Sequence, residues 1–284
     1  MTAFDEDYMT SNRNGKVVLV TGASSGIGAA IAVRLAGAGH RVFGTSRKAG
    51  AAAPAPAVKM LVMDVRDGAT IAAAVGRVMS ECGRIDVLIN NAGDGIAAAV
   101  EETLPSDLQV QLETNLFGPL RVCQAVLPHM RAQRSGRIVQ ITSLAARIAV
   151  PYQGAYSASK WALEGLSEAM SMELKPFGID VVMVEPGDTK SNFTMERQWT
   201  KTAVESDVYR VRAKHAVGVM EKSEQAGPPA DKVARVVQQA VEARRPKLRY
   251  VSVSATERLA LVLQRLLPGR VFEGIVLSAF KVPR

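Results

Sequence analysis

The sequence has few cysteines, few aromatic residues and no long hydrophobic run. Only Cys82 and Cys123 are cysteines among 284 residues, and both lie in apolar helical patterns without the spacing of a metal or redox site. This excludes a disulfide scaffold and is typical of a protein from a reducing compartment. No run of about 18 apolar residues occurs, so no transmembrane helix is predicted. Because aromatic residues make up 5% and apolar residues 48%, the predicted core is mainly aliphatic.

The N-terminus and the overall charge limit the expected location and partners. Residues 1–14 are polar and acidic and lack an apolar segment of the signal-peptide type, so we predict a flexible tail and a cytoplasmic protein. The net charge of +8 favours anionic partners, among them a phosphate-bearing cofactor. Nucleic acid is not an expected partner, because the basic residues are scattered and form no stripe with aromatic residues. No metal site is predicted.

Short apolar segments alternate with helical patterns through most of the chain. The predicted strands span residues 16–21, 41–46, 58–63, 87–89, 137–142, 180–185 and 248–253, and the predicted helices span 28–38, 67–82, 105–130, 156–175 and 230–244. Residues 48–57 are predicted as an exposed loop and 188–226 as a polar, irregular segment. The alternation predicts a single-domain α/β fold with a doubly wound parallel sheet and helices on both faces.

A glycine-rich loop joins the first predicted strand to the first predicted helix. Its glycines are Gly22, Gly26 and Gly28. The first glycine permits a tight turn, and the later two let the backbone approach a pyrophosphate and let the helix pack on the strand. The phosphate charge would then meet the N–H groups at the start of the helix. Because the loop lies between a strand and a helix, we predict a dinucleotide site rather than a plain turn.

The end of the second predicted strand indicates which dinucleotide binds. An enzyme that uses NAD usually carries an acidic residue here for the ribose hydroxyls, but residues 45–48 contain none. Ser46 and Arg47 occupy this place instead, and a guanidinium can bind a 2′-phosphate through two hydrogen bonds, with Lys48 adding charge. We therefore predict NADP(H) as the cofactor.

Tyr156 and Lys160 are spaced four residues apart on a predicted helix, so both side chains leave the same face. A free phenol has a pKa of about 10, and a nearby ammonium group is expected to lower it. Such a pair can move a proton to or from a substrate oxygen. Ser143, at the end of a predicted strand, could hold that oxygen, because ligands bind at the carboxyl ends of strands in such sheets.

Taken together and in this order, the motifs resemble those of the classical short-chain dehydrogenase/reductase family, which has a Rossmann-type fold. The resemblance covers roughly residues 16–192. It rests on the loop at 21–28, Asp64 and Val65, the NNAG segment at 90–93, Asn115, Ser143, Tyr156, Lys160, Pro186 and Gly187.

The resemblance implies a role for each matching residue. Tyr156 would be the general acid or base, Lys160 would hold the nicotinamide ribose and lower the tyrosine pKa, and Ser143 would orient the carbonyl. Asn115 would anchor a water molecule in a proton relay, or would only stabilise a bent helix. The implied cofactor-binding residues are Gly22, Ser24, Ser25, Gly26, Ile27, Gly28, Ser46, Arg47, Asp64, Val65, Asn91, Ala92, Gly93, Tyr156, Lys160, Pro186, Gly187, Thr189 and Ser191. Asp188 and Lys190 depart from the usual pattern beside Thr189.

The resemblance also implies how the rest of the chain is organised. The catalytic domain would span 15–255, with a variable substrate lid at 189–226 and a C-terminal extension at 256–284. Residues 246–250 are similar to a subgroup that acts on steroids, retinoids and other lipophilic ketones. The extension mixes arginines with Leu, Val and Phe. We expect it to pack on the core or the lid rather than to contact a membrane surface. Family members usually form homodimers or homotetramers through the helices that carry Asn115 and Tyr156.

The sequence therefore predicts an NADP(H)-dependent oxidoreductase that interconverts a lipophilic ketone or aldehyde and an alcohol. The alternative is a sensor that binds NADP(H) without turnover, against which the intact set of Ser143, Tyr156 and Lys160 argues. A non-redox lyase on the same fold would not need the glycine loop.

Overall fold

The computed structural model describes residues 15–282, so the predicted tail at 1–14 lies outside the described residues. Within that range a seven-stranded sheet has the order β3-β2-β1-β4-β6-β7-β9, and every neighbouring pair is parallel. A second sheet consists of the short strands β5 and β8. The strands are β1 (Val17–Val20), β2 (Arg41–Ser46), β3 (Val58–Val62), β4 (Val87–Asn90), β5 (Ile96–Ala97), β6 (Gly136–Ile141), β7 (Ile179–Pro186), β8 (Gln198–Trp199) and β9 (Arg249–Ser252).

Helices cover both faces of the seven-stranded sheet. They are α1 (Gly26–Gly37), α2 (Gly68–Cys82), α3 (Pro105–Leu112), α4 (Gly118–Gln133), α5 (Gly154–Leu174), α6 (Phe193–Glu196), α7 (Lys201–Glu205), α8 (Arg210–Ala226), α9 (Asp231–Glu242), α10 (Ala255–Leu266) and α11 (Gly269–Ala279). The predicted doubly wound α/β fold is confirmed. The strand order reverses between β1 and β4, which is where ligands bind in such sheets.

The core has two halves, one on each face of the sheet. In β1, Val17 and Leu19 pack with residues of α2 and α4, whereas Val18 and Val20 pack with residues of α1 and α9. Because both faces are covered, the strands are apolar along their whole length rather than alternately polar and apolar. Cys123 is buried in one half and Cys82 packs against it; burial raises the pKa of both thiols.

The structure refines two sequence-based assignments. The segment predicted as a helix over 105–130 is helical throughout, but a π-helical turn at Glu113–Phe117 lies between α3, which ends at Leu112, and α4; Pro119 lies in the first turn of α4, where its missing N–H costs least. The segment 188–226 is more helical than predicted, because α8 has 17 residues. Its buried residues Ala213, Ala216, Val217 and Met220 have helical spacing, but two of the four are alanines and charged residues surround them.

The C-terminal extension also forms helices. Pro268 separates α10 from α11, and Ser254 caps α10 by accepting a hydrogen bond from the backbone of Glu257. Among residues 15–282, no helix combines the length and the apolar character needed to cross a membrane.

Candidate active site

A cavity of about 970 Å³ opens at the carboxyl ends of the parallel strands. Every residue predicted from the sequence as part of the site lines this cavity, except Asn115. The loops after β1, β2, β4, β6 and β7 converge here because parallel strands end at the same edge of a sheet. The fold therefore brings the separated sequence motifs into one place.

The glycine loop has the backbone that its sequence predicts. Gly22 and Gly26 have φ angles of 65° and 55°, which side chains disfavour. At Gly28 an added Cβ would overlap the carbonyl oxygen of Gly22 and the amide of Asn91, so the helix can lie close to the loop only because this residue is glycine. Asn91 fixes the loop by donating hydrogen bonds to the carbonyl oxygens of Thr21 and Gly22, at 3.0 and 3.1 Å. The loop leads directly into α1, as phosphate binding requires.

Positive charge gathers where β2 and β3 end. Arg47 is exposed and lines the cavity after Ser46, whose hydroxyl accepts a hydrogen bond from the backbone of Lys48. Arg66 also lines the cavity and binds Asp64 through two guanidinium nitrogens, with Nη2 to Oδ2 at 2.7 Å. The hydrogen bond from Arg66, together with the charge of Arg47, lowers the pKa of the Asp64 carboxyl. The sequence analysis missed Arg66, although it directly follows the Asp64–Val65 pair.

The predicted catalytic side chains meet between β6 and α5. Lys160 lies on α5, and its Nζ donates a 3.0 Å hydrogen bond to the carbonyl oxygen of Ile141 at the end of β6. The same nitrogen is 5.8 Å from the ring centre of Tyr156. Ser143 follows β6, and its side chain is hydrogen-bonded to the Tyr156 hydroxyl. A phenol, a hydroxyl and an amine thus face one cavity, which suits proton transfer to or from a substrate oxygen.

The ionisation of this pair differs from the sequence-based expectation. Burial raises the pKa of Tyr156 to about 12, and the hydrogen bond from Ser143 only partly opposes this. Burial also lowers the pKa of Lys160 to about 8, while the nearby Asp94 carboxylate acts in the opposite direction. The pKa of Tyr156 is therefore raised rather than lowered in this geometry, because loss of hydration dominates it. That Lys160 lowers the tyrosine pKa stays a prediction.

We expect the two directions of carbonyl chemistry to differ in pH dependence. With its pKa raised, Tyr156 stays protonated at neutral pH and could donate its proton to a carbonyl oxygen. Alcohol oxidation needs the phenolate, whose fraction grows about tenfold per pH unit below the pKa. Oxidation measured as kcat/KM should therefore rise steeply between about pH 7 and 9, whereas reduction should not rise. An oxidation rate that is flat over this range would contradict the assignment.

Asn115 lies in the π-helical turn and is fully buried. Its Oδ1 accepts a hydrogen bond from the backbone N–H of Asp94 at 3.0 Å. Its Nδ2 donates to the Asp94 carbonyl at 2.9 Å and to the Ser159 hydroxyl at 3.1 Å. Asn115 thus ties the loop after β4 to α5, one residue before Lys160. These contacts agree with the structural role considered above, and the proton-relay role stays a prediction.

The segment after β7 is fixed by unusual partners. The backbone N–H of Asp188 donates to Glu257 at 2.7 Å, and the Asp188 side chain accepts a hydrogen bond from Ser223 of α8. Thr189 donates its hydroxyl to the Gly187 carbonyl oxygen at 2.9 Å. Asp188, which departs from the family pattern, therefore joins the cavity edge to α8.

The lid and the C-terminal extension close the cavity above Tyr156. The ring of Phe193 lies 5.4 Å from that of Tyr156, and the Arg197 guanidinium lies 5.7 Å from the Phe193 ring. Arg197 is held by Glu224 at 2.7 Å, so the lid contacts are internally paired. One wall of the cavity is apolar and is formed by residues of α10 and α11 and by Phe280, which directly follows α11. The wall residues are Ala260, Phe272, Ile275, Val276, Ala279 and Phe280. The sequence analysis placed the substrate-facing residues in the lid and missed this wall.

Comparisons with known proteins give a consistent result. The family model for short chain dehydrogenases matches residues 16–202. A 3-ketodihydrosphingosine reductase of Bacteroides thetaiotaomicron is 41% identical over 234 residues, which cover 82% of this chain and 86% of that protein. A short-chain dehydrogenase from Streptomyces avermitilis superposes with a TM-score of 0.78 at 32% identity, over 95% of this chain and 98% of the other.

A second solved structure carries a dinucleotide. The short chain dehydrogenase/reductase from Burkholderia phymatum, crystallised in complex with NAD, has a TM-score of 0.76 at 25% identity and covers 89% of this chain and 95% of its own. The glycine loop of the present chain lines a cavity at the same edge of a doubly wound sheet where dinucleotides bind in such folds.

Proposed function

Because this chain belongs to the short-chain dehydrogenase/reductase family, we propose that it transfers hydride between NADP(H) and a lipophilic carbonyl compound or alcohol. The observation that carries the proposal is that one cavity is lined both by the glycine loop and by Ser143, Tyr156 and Lys160. A hydride carrier and a proton donor must act on the same carbonyl group, so they must share one cavity.

The residues present fit a dinucleotide. Gly28 leaves space that a Cβ would fill, and the N-terminus of α1 faces the cavity through Ser25 and Gly26. These groups would hold the pyrophosphate, and Lys160 would hold the nicotinamide ribose. When bound, the nicotinamide supplies the hydride chemistry.

The protein would supply the acid and the base of the reaction. Tyr156 would donate its hydroxyl proton to the carbonyl oxygen during reduction and accept it during oxidation. Ser143, bonded to the same hydroxyl, would orient the carbonyl. Phe193 and the apolar wall exclude water around these groups, which strengthens hydrogen bonds to the substrate oxygen.

NADP(H) is favoured over NAD(H) by the charges near the end of β2. Arg47 is exposed at the cavity, whereas Arg66 is already bound to Asp64. A 2′-phosphate beside Arg47 would gain charge-assisted hydrogen bonds, and no acidic side chain follows β2 at 47–48 to repel it.

The apolar wall and the relative's name both support a long-chain ketone as substrate. The Bacteroides protein is named for reduction of 3-ketodihydrosphingosine, a ketone with a long alkyl chain. Side chains of Phe272, Val276 and Phe280 offer an apolar surface on which such a chain could lie. A lipid-like 3-ketone is therefore our preferred substrate class.

Filling this wall should affect long substrates selectively. We expect Val276→Trp to raise KM for a long-chain ketone at least about tenfold, because the indole takes the space of several methylene groups, each worth about 0.8 kcal/mol. The KM for a short ketone such as butanone should stay nearly constant. Steady-state kinetics with a series of chain lengths measures this, and an equal effect on all lengths would contradict a chain-binding wall.

A screen of hydrophobic ketones with NADPH and NADH, followed by the absorbance of the reduced nicotinamide, tests the whole proposal. Turnover of one or more ketones with NADPH would support the reductase. Cofactor binding without turnover across the panel would instead support the sensor.

We further propose a homodimer or homotetramer in the cytoplasm. The π-helical turn that carries Asn115 leads into α4, and Tyr156 lies on α5; on α5, Leu166 and Met172 are exposed apolar residues that a second copy could cover. The two cysteines are free, as suits a reducing compartment. Sedimentation velocity of wild type and Met172→Glu would test the interface.

A further inference from the structure

The helices α10 and α11 carry apolar side chains on their outer face. Leu259, Val262 and Leu266 follow each other at intervals of three and four residues, and Val271 continues the set on α11. All four are exposed, and α10 has no buried residue at all. We call these four residues the outer stripe. Packing on the core or the lid does not account for it, because its side chains face solvent.

Positive charge borders the outer stripe. Arg258 and Arg265 each precede a leucine of the stripe, and Arg270 stands in the first turn of α11; all three are exposed. Within residues 15–282, neither Arg258 nor Arg265 forms an ion pair, whereas Arg270 pairs with Glu273 at 2.8 Å.

Glu257, the acidic residue of α10, faces away from these arginines. Glu257 accepts hydrogen bonds from the backbone N–H groups of Ser254 and Asp188, at 2.6 and 2.7 Å, inside the fold. Along α10 the stripe therefore has a cationic rim, whereas on α11 the charge of Arg270 is paired with that of Glu273.

The outer stripe is held in a fixed position next to the cavity. Gln264 of α10 donates a hydrogen bond to the carbonyl oxygen of Arg147, and Glu257 holds the segment after β7. Other side chains of the same helices contribute to the apolar cavity wall. Ile275 belongs to both surfaces, because it lines the cavity and is still 38% exposed. The cavity wall and the outer stripe are thus carried by the same two helices.

We propose that this face docks on the surface of an anionic lipid bilayer. Apolar side chains enter the boundary between head groups and acyl chains, while the flanking arginines bind lipid phosphates, as in interfacial amphipathic helices. A second copy of the chain fits less well, because a symmetric contact would bring the like-charged rims together. This docking rests on the proposed function. A lipid-like ketone would then enter the cavity directly from the bilayer, beside Ile275.

The test measures sedimentation of the full chain with vesicles of phosphatidylcholine alone or with added phosphatidylserine. Wild type should bind the anionic vesicles, less so at high salt. Val262→Glu with Leu266→Glu should lower binding at least about tenfold. The matched control is Val62→Glu with Val208→Glu: these residues are 48% and 69% exposed, against 48% and 73% for Val262 and Leu266. The control should bind like wild type.

A second variant tests the charges without touching the apolar residues. Arg258→Gln with Arg265→Gln should weaken binding to the anionic vesicles by about fivefold per arginine and leave the thermal unfolding temperature unchanged. Absence of wild-type binding, or equal losses in the control, would overturn the proposal. The proposal would also be overturned if the Val262/Leu266 variant changed its oligomer mass but not its vesicle binding. That result would identify the outer stripe as a contact between copies of the chain.

Turnover of a short, water-soluble ketone keeps the two proposals apart. It should be the same in wild type and in both surface variants, because the outer stripe does not line the cavity. If no ketone is turned over but vesicles still bind in the expected pattern, only the proposed function fails.

Discussion

Replacing Tyr156 with phenylalanine is expected to reduce ketone turnover at least about 100-fold while NADPH still binds. The loss corresponds to removal of a positioned proton donor. Because the substitution removes only the hydroxyl, the ring contact with Phe193 and the ring near Lys160 are retained. The cavity should therefore keep its shape, and the effect should appear in kcat rather than in the Kd for NADPH.

The measurement is the initial rate of NADPH oxidation with the best ketone of the screen, together with a fluorescence titration of NADPH. Tyr209→Phe is the matched control, since its hydroxyl binds Glu101 at 2.6 Å on the protein surface. That variant should turn over like wild type. Normal turnover by Tyr156→Phe would remove Tyr156 from the acid–base role.

Replacing Arg47 with aspartate is expected to lower the preference for NADP(H) over NAD(H) by about 100-fold or more. A charge-assisted hydrogen bond contributes about 1.5–3 kcal/mol, and the new carboxylate would also repel a 2′-phosphate. It could instead accept hydrogen bonds from the ribose hydroxyls of NAD. Arg66 cannot easily replace the lost guanidinium, because its nitrogens hold Asp64.

The preference is the ratio of kcat/KM with the two cofactors for one ketone. Arg244→Asp makes the same charge change at an exposed position far from the cavity lining, and it should leave the ratio as in wild type. A constant ratio in the Arg47 variant would exclude the assignment of the 2′-phosphate to this residue.

Much of the site was predictable because its residues belong to short local patterns. Gly22, Gly26 and Gly28 are required by backbone conformation and close approach, and such requirements act over a few residues. The spacing of Tyr156 and Lys160 likewise follows from the helical repeat. The parts that were missed depend on contacts between distant segments. Nothing local to Glu257 indicates that it would hold the backbone of Asp188.

The pKa of Tyr156 likewise depends on packing that the sequence does not reveal. Sequence spacing places an ammonium near the phenol and so predicts a lowered pKa. Burial of the phenol, whose ring contacts Phe193, decides the direction instead and raises the pKa. Burial is a property of the packed molecule, and no pair of residues in the sequence encodes it.

The sequence by itself determined the doubly wound fold, and it pointed to the glycine loop and to Ser143, Tyr156 and Lys160, which the fold brings to one cavity. These follow from periodicity, glycine backbone freedom and strand ends, which are properties of neighbouring residues. Only the tertiary structure decided that α10 and α11 supply the cavity wall and leave the outer stripe exposed. Both faces of these helices are apolar in the sequence, and which one is covered depends on how the helices are anchored to residues over 100 positions away, as Gln264 is to Arg147.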